Sequence, residues 1–332
     1  MAPKYAKDQP AGFVNRIEKV AVIGAGGQVG KWIAEALVKT GKHTVTGITR
    51  ADSTSQLPAG VVPAKVNYDD EASLVEALKG QQFLVITLSV FVAPDTHSKL
   101  VKAAAKAGVP YVLPNFWGYD PFDDELSEQI GFGKRFIEFR EEIEALGVST
   151  WIAMACGFWY EFSLAGSADR FGFDFKERSV VFIDDGNFKI NTSTFAQTGQ
   201  AVAAFLSLKL YPDDADDKSP AISNWDKNCF YISSFLVSQR DMFESVKRVT
   251  GTTDADWKIT TEKSQERYAN GIAAMQKGDM AGFARMMYTR IFFPEGNSTY
   301  EKTKGLQNDV LGLPKEDIDE ATKEAVRQAL EA

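Results

Sequence analysis

The sequence predicts an α/β fold, in which a Rossmann-type doubly wound parallel sheet is accompanied by a second, smaller and mainly helical domain. Three observations predict it. Short, apolar, β-branched runs alternate with amphipathic segments as far as about residue 155, and such alternation builds a parallel sheet covered by helices on both faces. A cluster of glycines separates the first strand from the first helix. After Cys156 the alternation gives way to aromatic-rich, irregular segments.

The elements of the sheet domain follow from their apolar patterns. The first strand is expected at residues 20–23, and an apolar helical spacing from Trp32 to Leu37 predicts the helix after it. Gly108 and Gly147 stand where two later helices should end, because glycine adopts the left-handed conformation of a helix C-terminus. The other predicted strands are 43–49, 60–66, 83–90, 111–113 and 149–155, and the other helices are 71–78, 98–107 and 132–146.

The later part of the chain is divided between two domains. Residues 180–183 and the helix 198–208 are expected to return to the sheet domain. The second domain is expected to contain the charged tail after Pro314 and the helices 238–250, 262–276 and 279–288. The predicted boundaries are therefore an N-terminal arm at 1–16, a sheet domain at 17–156 and 179–210, and a second domain at 157–178 and 211–332.

Composition and charge exclude several classes of partner. The 332 residues carry a formal net charge of −8, the opposite of the basic surface that nucleic acid requires. The longest apolar stretch, residues 83–93, is too short to cross a bilayer, and the N-terminus lacks the apolar core of a signal peptide. Cys156 and Cys229 lie in apolar surroundings without metal-ligand spacing. We therefore expect a cytoplasmic protein with reduced cysteines that binds neither nucleic acid, membrane nor metal.

The glycine cluster occupies residues 24–30 and satisfies the pattern G-x-x-G-x-x-G. Glycines permit a tight turn and let backbone N–H groups approach a pyrophosphate at a helix N-terminus. Because the cluster follows the first strand and opens the first helix, it predicts a dinucleotide site; the alternative is a glycine-rich structural turn. The residues expected at the dinucleotide are Gly24, Gly26, Gly27, Gln28, Val29 and Gly30.

The end of the second strand indicates which dinucleotide is bound. An acidic residue about twenty positions beyond the last glycine binds the ribose hydroxyls of NAD, but here the strand ends in Thr49 and Arg50. A guanidinium can donate two hydrogen bonds to a 2′-phosphate and stack on adenine. Arg50 therefore favours NADP. Asp52 nearby keeps NAD open, and Arg50 could also be an ordinary surface arginine.

These features together resemble a known family. The glycine cluster, Arg50, the segment Asn67-Tyr68-Asp69 and the segment from Pro114 to Gly118 are similar to the NmrA-like and isoflavone-reductase-like branch of the atypical short-chain dehydrogenases, and most of all to fungal CipA-like oxidoreductases. The resemblance covers about residues 17–250. It implies NADPH across the strand ends, with a substrate domain built from later segments. It also implies that Asn67 lies near the adenine and that the ribose and nicotinamide are flanked by Thr87, Leu88 and Ser89.

The resemblance also implies a catalytic residue. Relatives that act on isoflavones and lignans carry a lysine on the helix after the segment that matches 114–118, and this lysine handles protons during hydride transfer. The matching residue here is Lys134. The family's Ser-Glu pair is replaced by Asn115 and Phe116, a departure that leaves the substrate open. The alternative is an exposed lysine that pairs with Glu138, four residues further along the helix.

Two groups of aromatic residues follow predicted strand ends. In an open α/β sheet, ligands bind outside the carboxyl ends of the strands, so these groups could form one apolar pocket above the nicotinamide. A flat aromatic substrate would suit such a pocket. The alternative is that the same side chains form the core between the two domains. The expected pocket residues are Phe116, Trp117, Tyr119, Phe158, Trp159 and Tyr160.

The sequence thus favours an NADPH-dependent reductase of a small aromatic or phenolic metabolite, acting as a monomer or homodimer. The alternatives are a dinucleotide-sensing regulator without catalysis and a biosynthetic enzyme with a non-redox step. Two further features carry little weight. His97 could face the cofactor from a helix start, and Tyr300 and Lys304 match the short-chain tyrosine-lysine spacing but lie far from the nucleotide domain in sequence.

Overall fold

The fold is seen in a computed structural model that describes residues 4–294 and 298–331. In these ranges the strands are β1 (Lys19–Ile23), β2 (Thr44–Arg50), β3 (Val62–Val66), β4 (Phe83–Ile86), β5 (Tyr111–Leu113), β6 (Trp117–Gly118), β7 (Thr150–Trp151), β8 (Ala153–Ala155), β9 (Phe158–Trp159), β10 (Phe173–Asp174), β11 (Ser179–Ile183), β12 (Lys189–Ser193), β13 (Cys229–Tyr231), β14 (Phe235–Ser238) and β15 (Lys258–Glu262). The helices are α1 (Gly30–Lys39), α2 (Glu71–Leu78), α3 (Thr96–Ala107), α4 (Asp124–Gln129), α5 (Arg135–Leu146), α6 (Tyr160–Leu164), α7 (Phe195–Leu206), α8 (Gln239–Thr250), α9 (Ser264–Gln276), α10 (Ala281–Arg290), α11 (Tyr300–Lys304) and α12 (Ile318–Glu331).

The main sheet has six strands in the order β3-β2-β1-β4-β5-β7, and every neighbouring pair is parallel. This is the doubly wound order of a dinucleotide-binding fold, and it confirms the predicted α/β class. The strand order reverses between β1 and β4. Ligands of such sheets bind in the crevice outside the carboxyl ends of the strands at that reversal. The topology therefore predicts a ligand site at the residues that follow β1 and β4.

Alternate residues of β1 face two different cores. Val20 and Val22 pack with side chains of α1 and α7, such as Ile33 and Phe205. Ala21 and Ile23 pack on the opposite face with side chains of α2, α3 and α5. Both faces of the strand are fully buried, as expected for a parallel sheet between two helical layers. The sheet domain is therefore a three-layer sandwich.

The second part of the molecule contains a sheet of its own. Its strands pair in the order β10-β11-β15, and an aromatic core that includes Phe173, Phe182 and Trp257 joins this sheet to α6, α8 and α12. One expectation is corrected here. The run 180–183 does not return to the main sheet, because β11 pairs with β10 and β15. An apolar pattern predicts a strand but not its pairing partner. The second part is mainly helical, as expected, with α6, α8, α9, α10, α11 and α12.

Other differences from the sequence prediction are local. The strand expected at 83–90 ends at Ile86, and the one expected at 149–155 divides into β7, in the main sheet, and β8, which pairs with β6 and β13. The helix expected at 132–146 begins at Arg135. Neither α11 nor α12 was predicted. Cys156 and Cys229 are buried and free, as expected.

Within residues 4–294 and 298–331, every helix is too short or too polar to traverse a lipid bilayer.

Candidate functional site

The glycine loop lies between β1 and α1, where the sequence placed it. Gly24 has φ +77°, a conformation that favours glycine, and a Cβ atom there would overlap the carbonyl oxygen of Thr87. A Cβ atom at Gly30 would lie 2.6 Å from Thr87 Oγ1. Both glycines are therefore required by the close approach of the loop to the end of β4. At Gly26 a Cβ atom would meet Gln56 O at 2.9 Å, so the segment after β2 passes beside the same loop.

The segment after β4 is held by three side chains. Thr87 donates its hydroxyl hydrogen to Ile23 O at 2.7 Å, which ties it to the end of β1. Asn115 accepts from Leu88 N at 2.8 Å and donates to Leu88 O at 3.2 Å. Trp117 donates its indole N–H to Ile86 O at 3.0 Å. Of the predicted residues, Thr87 thus stands beside the glycine loop, Leu88 is braced by Asn115, and Ser89 follows them on the exposed side.

Arg50 is the last residue of β2 and Asn67 follows the neighbouring strand β3, and the two strands end at the same edge of the sheet. Arg50 is largely exposed, and its Nε lies 3.5 Å from Asp52 Oδ1. This contact leaves the outer guanidinium nitrogens available to a ligand. Asn67 is also exposed, and its Oδ1 accepts from Asp69 N at 3.0 Å. The two side chains therefore present polar groups at the edge where an adenosine would lie beside the glycine loop.

Lys134 is exposed and stands as the N-cap residue of α5, at the end of a turn formed by residues 131–134. Ser127 fixes this turn, because its carbonyl accepts from Phe132 N at 2.9 Å and its hydroxyl donates to Gly133 O at 2.6 Å. Tyr119 donates its hydroxyl hydrogen to Ser127 Oγ at 2.7 Å. In the described part of the chain, Lys134 does not form the ion pair with Glu138 that the alternative interpretation suggested. A helix that crosses from β5 to β7 begins at the carboxyl edge of a parallel sheet, so Lys134 stands at that edge.

The structure distributes the six predicted pocket aromatics among three cores. Phe116 and Tyr119 are buried in the core beneath α5. Trp117 and Trp159 pack against the core on the α1 and α7 face. Phe158 and the fully buried Tyr160 belong to the aromatic core of the second part. The six side chains are thus not brought together as one wall, and their packing matches the alternative of a structural core.

A different row of aromatic rings lies beside Lys134, and the sequence did not reveal it. Phe132, two residues before Lys134, is 6.1 Å from Phe283 of α10 between ring centroids. Phe283 is in turn 6.3 Å from Phe91 in the segment after β4. On the other side, Phe132 stacks with Tyr119 at 6.4 Å. We call Phe91, Phe283 and Phe132 the aromatic row. Gly131, with φ +84°, leaves room for Phe283, but a glycine in a predicted loop does not indicate which element packs against it.

His97 is excluded from contact with the cofactor by its burial. Its ring stacks on Phe139 with centroids 3.6 Å apart, and neither ring nitrogen has a hydrogen-bond partner among the described residues. Burial lowers the pKa of His97 to about 3, because desolvation disfavours the imidazolium. His97 is therefore a neutral packing residue.

The tyrosine and lysine of α11 are also structural. Tyr300 is buried, and its hydroxyl donates to Ile232 O at 2.6 Å. Lys304 lies 3.3 Å from the carboxylate of Asp120. These contacts hold α11 against the sheet that contains β13. Tyr300 and Lys304 therefore have a structural role, although their spacing matches the short-chain tyrosine-lysine pair.

A polar cavity of about 300 Å³ lies apart from these residues, in the second part of the molecule. It is bounded by two ion pairs, Arg267 with Glu262 at 2.9 Å and Arg285 with Asp169 at 2.7 Å. Neither the glycine loop nor Lys134 borders it. The candidate functional site is therefore sought at the strand reversal, where ligands of such sheets bind, and not at this cavity.

The residues present fit a dinucleotide phosphate. The glycines keep side chains out of the loop, which passes close to Thr87 and Gln56. The N-terminus of α1 directs backbone N–H groups toward a phosphate, and Arg50 offers a guanidinium for a further phosphate. Such an arrangement could hold a pyrophosphate at α1 and present the amino group of Lys134 at the same edge of the sheet.

Comparison with known proteins agrees with this geometry. Residues 17–165 match the model of the NmrA-like family. Oxidoreductase aprR of Aspergillus flavus is 26% identical over 308 residues, which are 91% of this chain and 96% of that protein.

Two solved structures share the fold over nearly their whole length. Crystal structures of pinoresinol-lariciresinol and phenylcoumaran benzylic ether reductases match with a TM-score of 0.72 and 21% identity, over 92% of this chain and 99% of the matched one. The NADPH-dependent quinone oxidoreductase QOR2 of Escherichia coli, complexed with NADPH, matches with a TM-score of 0.66 and 20% identity, over 91% and 98%.

Proposed function

We propose that this chain, an isoflavone-reductase-like member of the NmrA-like family, is an NADPH-dependent reductase of a small aromatic substrate such as a quinone. The strand order carries the proposal: the glycine loop and the braced end of β4 lie at the strand reversal, and Lys134 precedes the helix that leads into β7 of the same sheet. Support also comes from the oxidoreductase relative and from the quinone oxidoreductase whose solved structure holds NADPH.

The cofactor would be held by the glycine loop and Arg50. Backbone N–H groups at the start of α1 would bind the pyrophosphate, and the guanidinium of Arg50 would bind the 2′-phosphate. Asn67 would lie near the adenine, while Thr87, Leu88 and Ser89 would flank the nicotinamide half. When bound, NADPH supplies the hydride.

Lys134 would supply the proton. Reduction of a quinone to a hydroquinone consumes one hydride and one proton, so a donor beside the substrate oxygen assists the reaction. The ammonium of Lys134 can donate one proton to that oxygen and regain it from solvent, because the side chain is exposed. The Tyr119, Ser127 and Gly133 hydrogen bonds hold the preceding turn and thereby position Lys134.

The aromatic row supports a flat substrate. Phe132 and Phe283 stand beside Lys134 with their rings at 69° to each other, and aromatic ligands pack favourably against such edges and faces. A quinone bound there would lie against the rings with its oxygen toward the lysine.

The test is NADPH oxidation by the purified protein in the presence of 1,4-benzoquinone, 1,4-naphthoquinone or 9,10-phenanthrenequinone, with NADH in parallel. Turnover with NADPH well above that with NADH is expected. Tight NADPH binding without turnover of any quinone would instead support the regulator, and equal use of both cofactors would contradict the role given to Arg50.

A further inference from the structure

Strand β15 lies at the edge of the three-stranded sheet in the second part of the molecule, next to β11. Its five residues, Lys258–Glu262, are all exposed. Such an edge can pair with a further strand, and proteins commonly block exposed edges with proline or a bulge. The edge strand β3 of the main sheet contains Pro63, whereas β15 has no proline and pairs with β11 in unbroken register. In the described part of the chain, the outer side of β15 is therefore open to a further strand.

The backbone of β15 offers hydrogen-bonding groups on that outer side. Lys258 N donates to Arg178 O at 2.8 Å, so Lys258 turns its backbone groups toward β11. Backbone groups alternate between the two sides of a strand, and those of Ile259 and Thr261 therefore point outward. Among residues 4–294 and 298–331, these outward groups have no hydrogen-bond partner.

The side chain of Ile259 leaves apolar surface uncovered at the same edge. Ile259 is the register partner of Val180, which is fully buried in the aromatic core of the second part. Opposite residues of neighbouring strands share one face of a sheet, yet Ile259 is 40% exposed. A further strand beside β15 would cover this side chain and extend the core.

The charges of β15 favour a second copy of the same strand. Lys258, Thr260 and Glu262 alternate along one face. In an antiparallel pair centred on Thr260, Lys258 of each copy lies opposite Glu262 of the other, so two ion pairs form at once. Ile259 then exchanges two backbone hydrogen bonds with Thr261 of the other copy. A parallel pair would instead place Lys258 beside Lys258, and a shift by two residues would separate the opposite charges.

We propose that two copies of this chain associate through β15, antiparallel and centred on Thr260, so that their two sheets become one. Glu262 suits this contact, because its Oε2 accepts from Arg267 Nη1 at 2.9 Å and its other oxygen faces no such demand among the described residues. Cross-strand pairs are individually weak, and two short strands form a small interface. The dimer should therefore dissociate on dilution. The proposal does not depend on the reaction at the strand reversal.

An engineered disulfide tests the pairing and its register together. Opposite residues of a pair without mutual hydrogen bonds have Cβ atoms about 4.5 to 5.5 Å apart, close to the separation of about 3.5 to 4.5 Å that a disulfide spans. Thr260→Cys should therefore form a covalent dimer on oxidation, measured by non-reducing electrophoresis. Thr261→Cys is the matched control, because its two copies lie diagonally, about 7 to 8 Å apart, and should cross-link about tenfold more slowly. The native Cys156 and Cys229 are buried and should not cross-link.

A change of charge gives an independent test. Sedimentation velocity over a wide range of protein concentration should show the wild type passing from monomer to dimer. Lys258→Glu places carboxylates opposite each other at both ends of the pair and should weaken the dimer by about tenfold. Lys176→Glu makes the same exchange on the exposed turn between β10 and β11 and should leave the dissociation constant unchanged.

Three results would each overturn the proposal: a wild type that stays monomeric at every concentration, equal cross-linking of the two cysteine variants, and equal dissociation constants for the two glutamate variants. Each of them would leave the proposed reductase activity untouched, since NADPH oxidation is measured separately.

Discussion

The side-chain amide of Asn115 holds both backbone polar groups of Leu88, with Oδ1 2.8 Å from Leu88 N and Nδ2 3.2 Å from Leu88 O. Leu88 lies two residues beyond β4, where no strand neighbour could satisfy it. The amide of Asn115 thus makes the two hydrogen bonds that a neighbouring strand would make, just beyond the end of β4 beside the candidate cofactor site.

Asn115→Ala should destabilise the fold and loosen the site together. Two partly buried backbone groups lose their partners, at a cost of about 1 to 3 kcal/mol in the free energy of unfolding, measurable by urea denaturation. NADPH binding should weaken because the end of β4 is no longer fixed. Asn67→Ala is the control for stability, since its exposed amide bonds only within its own turn. Equal stability of the two variants would contradict the clamp.

Arg50→Ala should separate the two dinucleotides. Hydrogen bonds to charged groups contribute about 1.5 to 3 kcal/mol to the free energy of binding. NADH carries no 2′-phosphate, so its binding would lose no such bond with Arg50. We expect NADPH affinity to fall at least tenfold while NADH affinity stays nearly constant, as measured by calorimetry. Arg16→Ala removes another exposed, acid-paired arginine and should change neither. A parallel loss for both cofactors would show that Arg50 does not bind the 2′-phosphate.

Lys134→Met should reduce turnover of an accepted quinone by roughly a hundredfold or more, since general acid assistance is worth about 10²- to 10⁴-fold. NADPH affinity should change by less than about threefold, because the lysine is not placed at the phosphates. Lys39→Met makes the same exchange at the exposed end of α1 and should keep wild-type turnover. Wild-type turnover in Lys134→Met would remove the lysine from the mechanism.

The sequence predicts those parts of the candidate site whose positions depend only on residues close together in the chain. The glycine loop is recognisable because strand, turn and helix are contiguous, and Arg50 because its distance from the loop is set by one helix and one strand. The aromatic row could not be predicted in this way. Phe91, Phe132 and Phe283 meet because α10 of the second part packs against the turn at 131–134, and periodicity does not show which element covers another.

The same limit explains the pocket residues and β11. Phe116 and Tyr160 follow strand ends, but their apolar character fits a core as well as a pocket, and both are buried in cores. The run 180–183 has the composition of a buried strand, but its pairing with β15 depends on residues nearly eighty positions away. The local apolar pattern predicts the strand β11, whereas long-range packing determines that it pairs with β15.

Glu161 makes the stability of the fold depend on pH. Its carboxyl is buried on α6, where it accepts a hydrogen bond from Phe195 N at 3.3 Å. Burial, reinforced by the carboxylates of Glu316 and Glu324, raises the pKa of Glu161 to about 7 from 4.5. Between pH 4.5 and about 7 the unfolded state releases this proton while the folded state keeps it. The free energy of unfolding therefore falls as pH rises, and the contribution of Glu161 is lost once pH has risen through about 7.

Glu161→Gln should remove this dependence. Glutamine keeps an acceptor for Phe195 N without a charge, so the variant should gain stability over the wild type as pH rises from 5 to 8, by up to about 3 kcal/mol at about 1.4 kcal/mol per pKa unit. Urea denaturation at several pH values measures the gain. Glu35→Gln, on the exposed face of α1, is the control and should shift stability little at any pH. A difference between Glu161→Gln and the wild type that stays constant from pH 5 to 8 would mean that Glu161 does not titrate in this range.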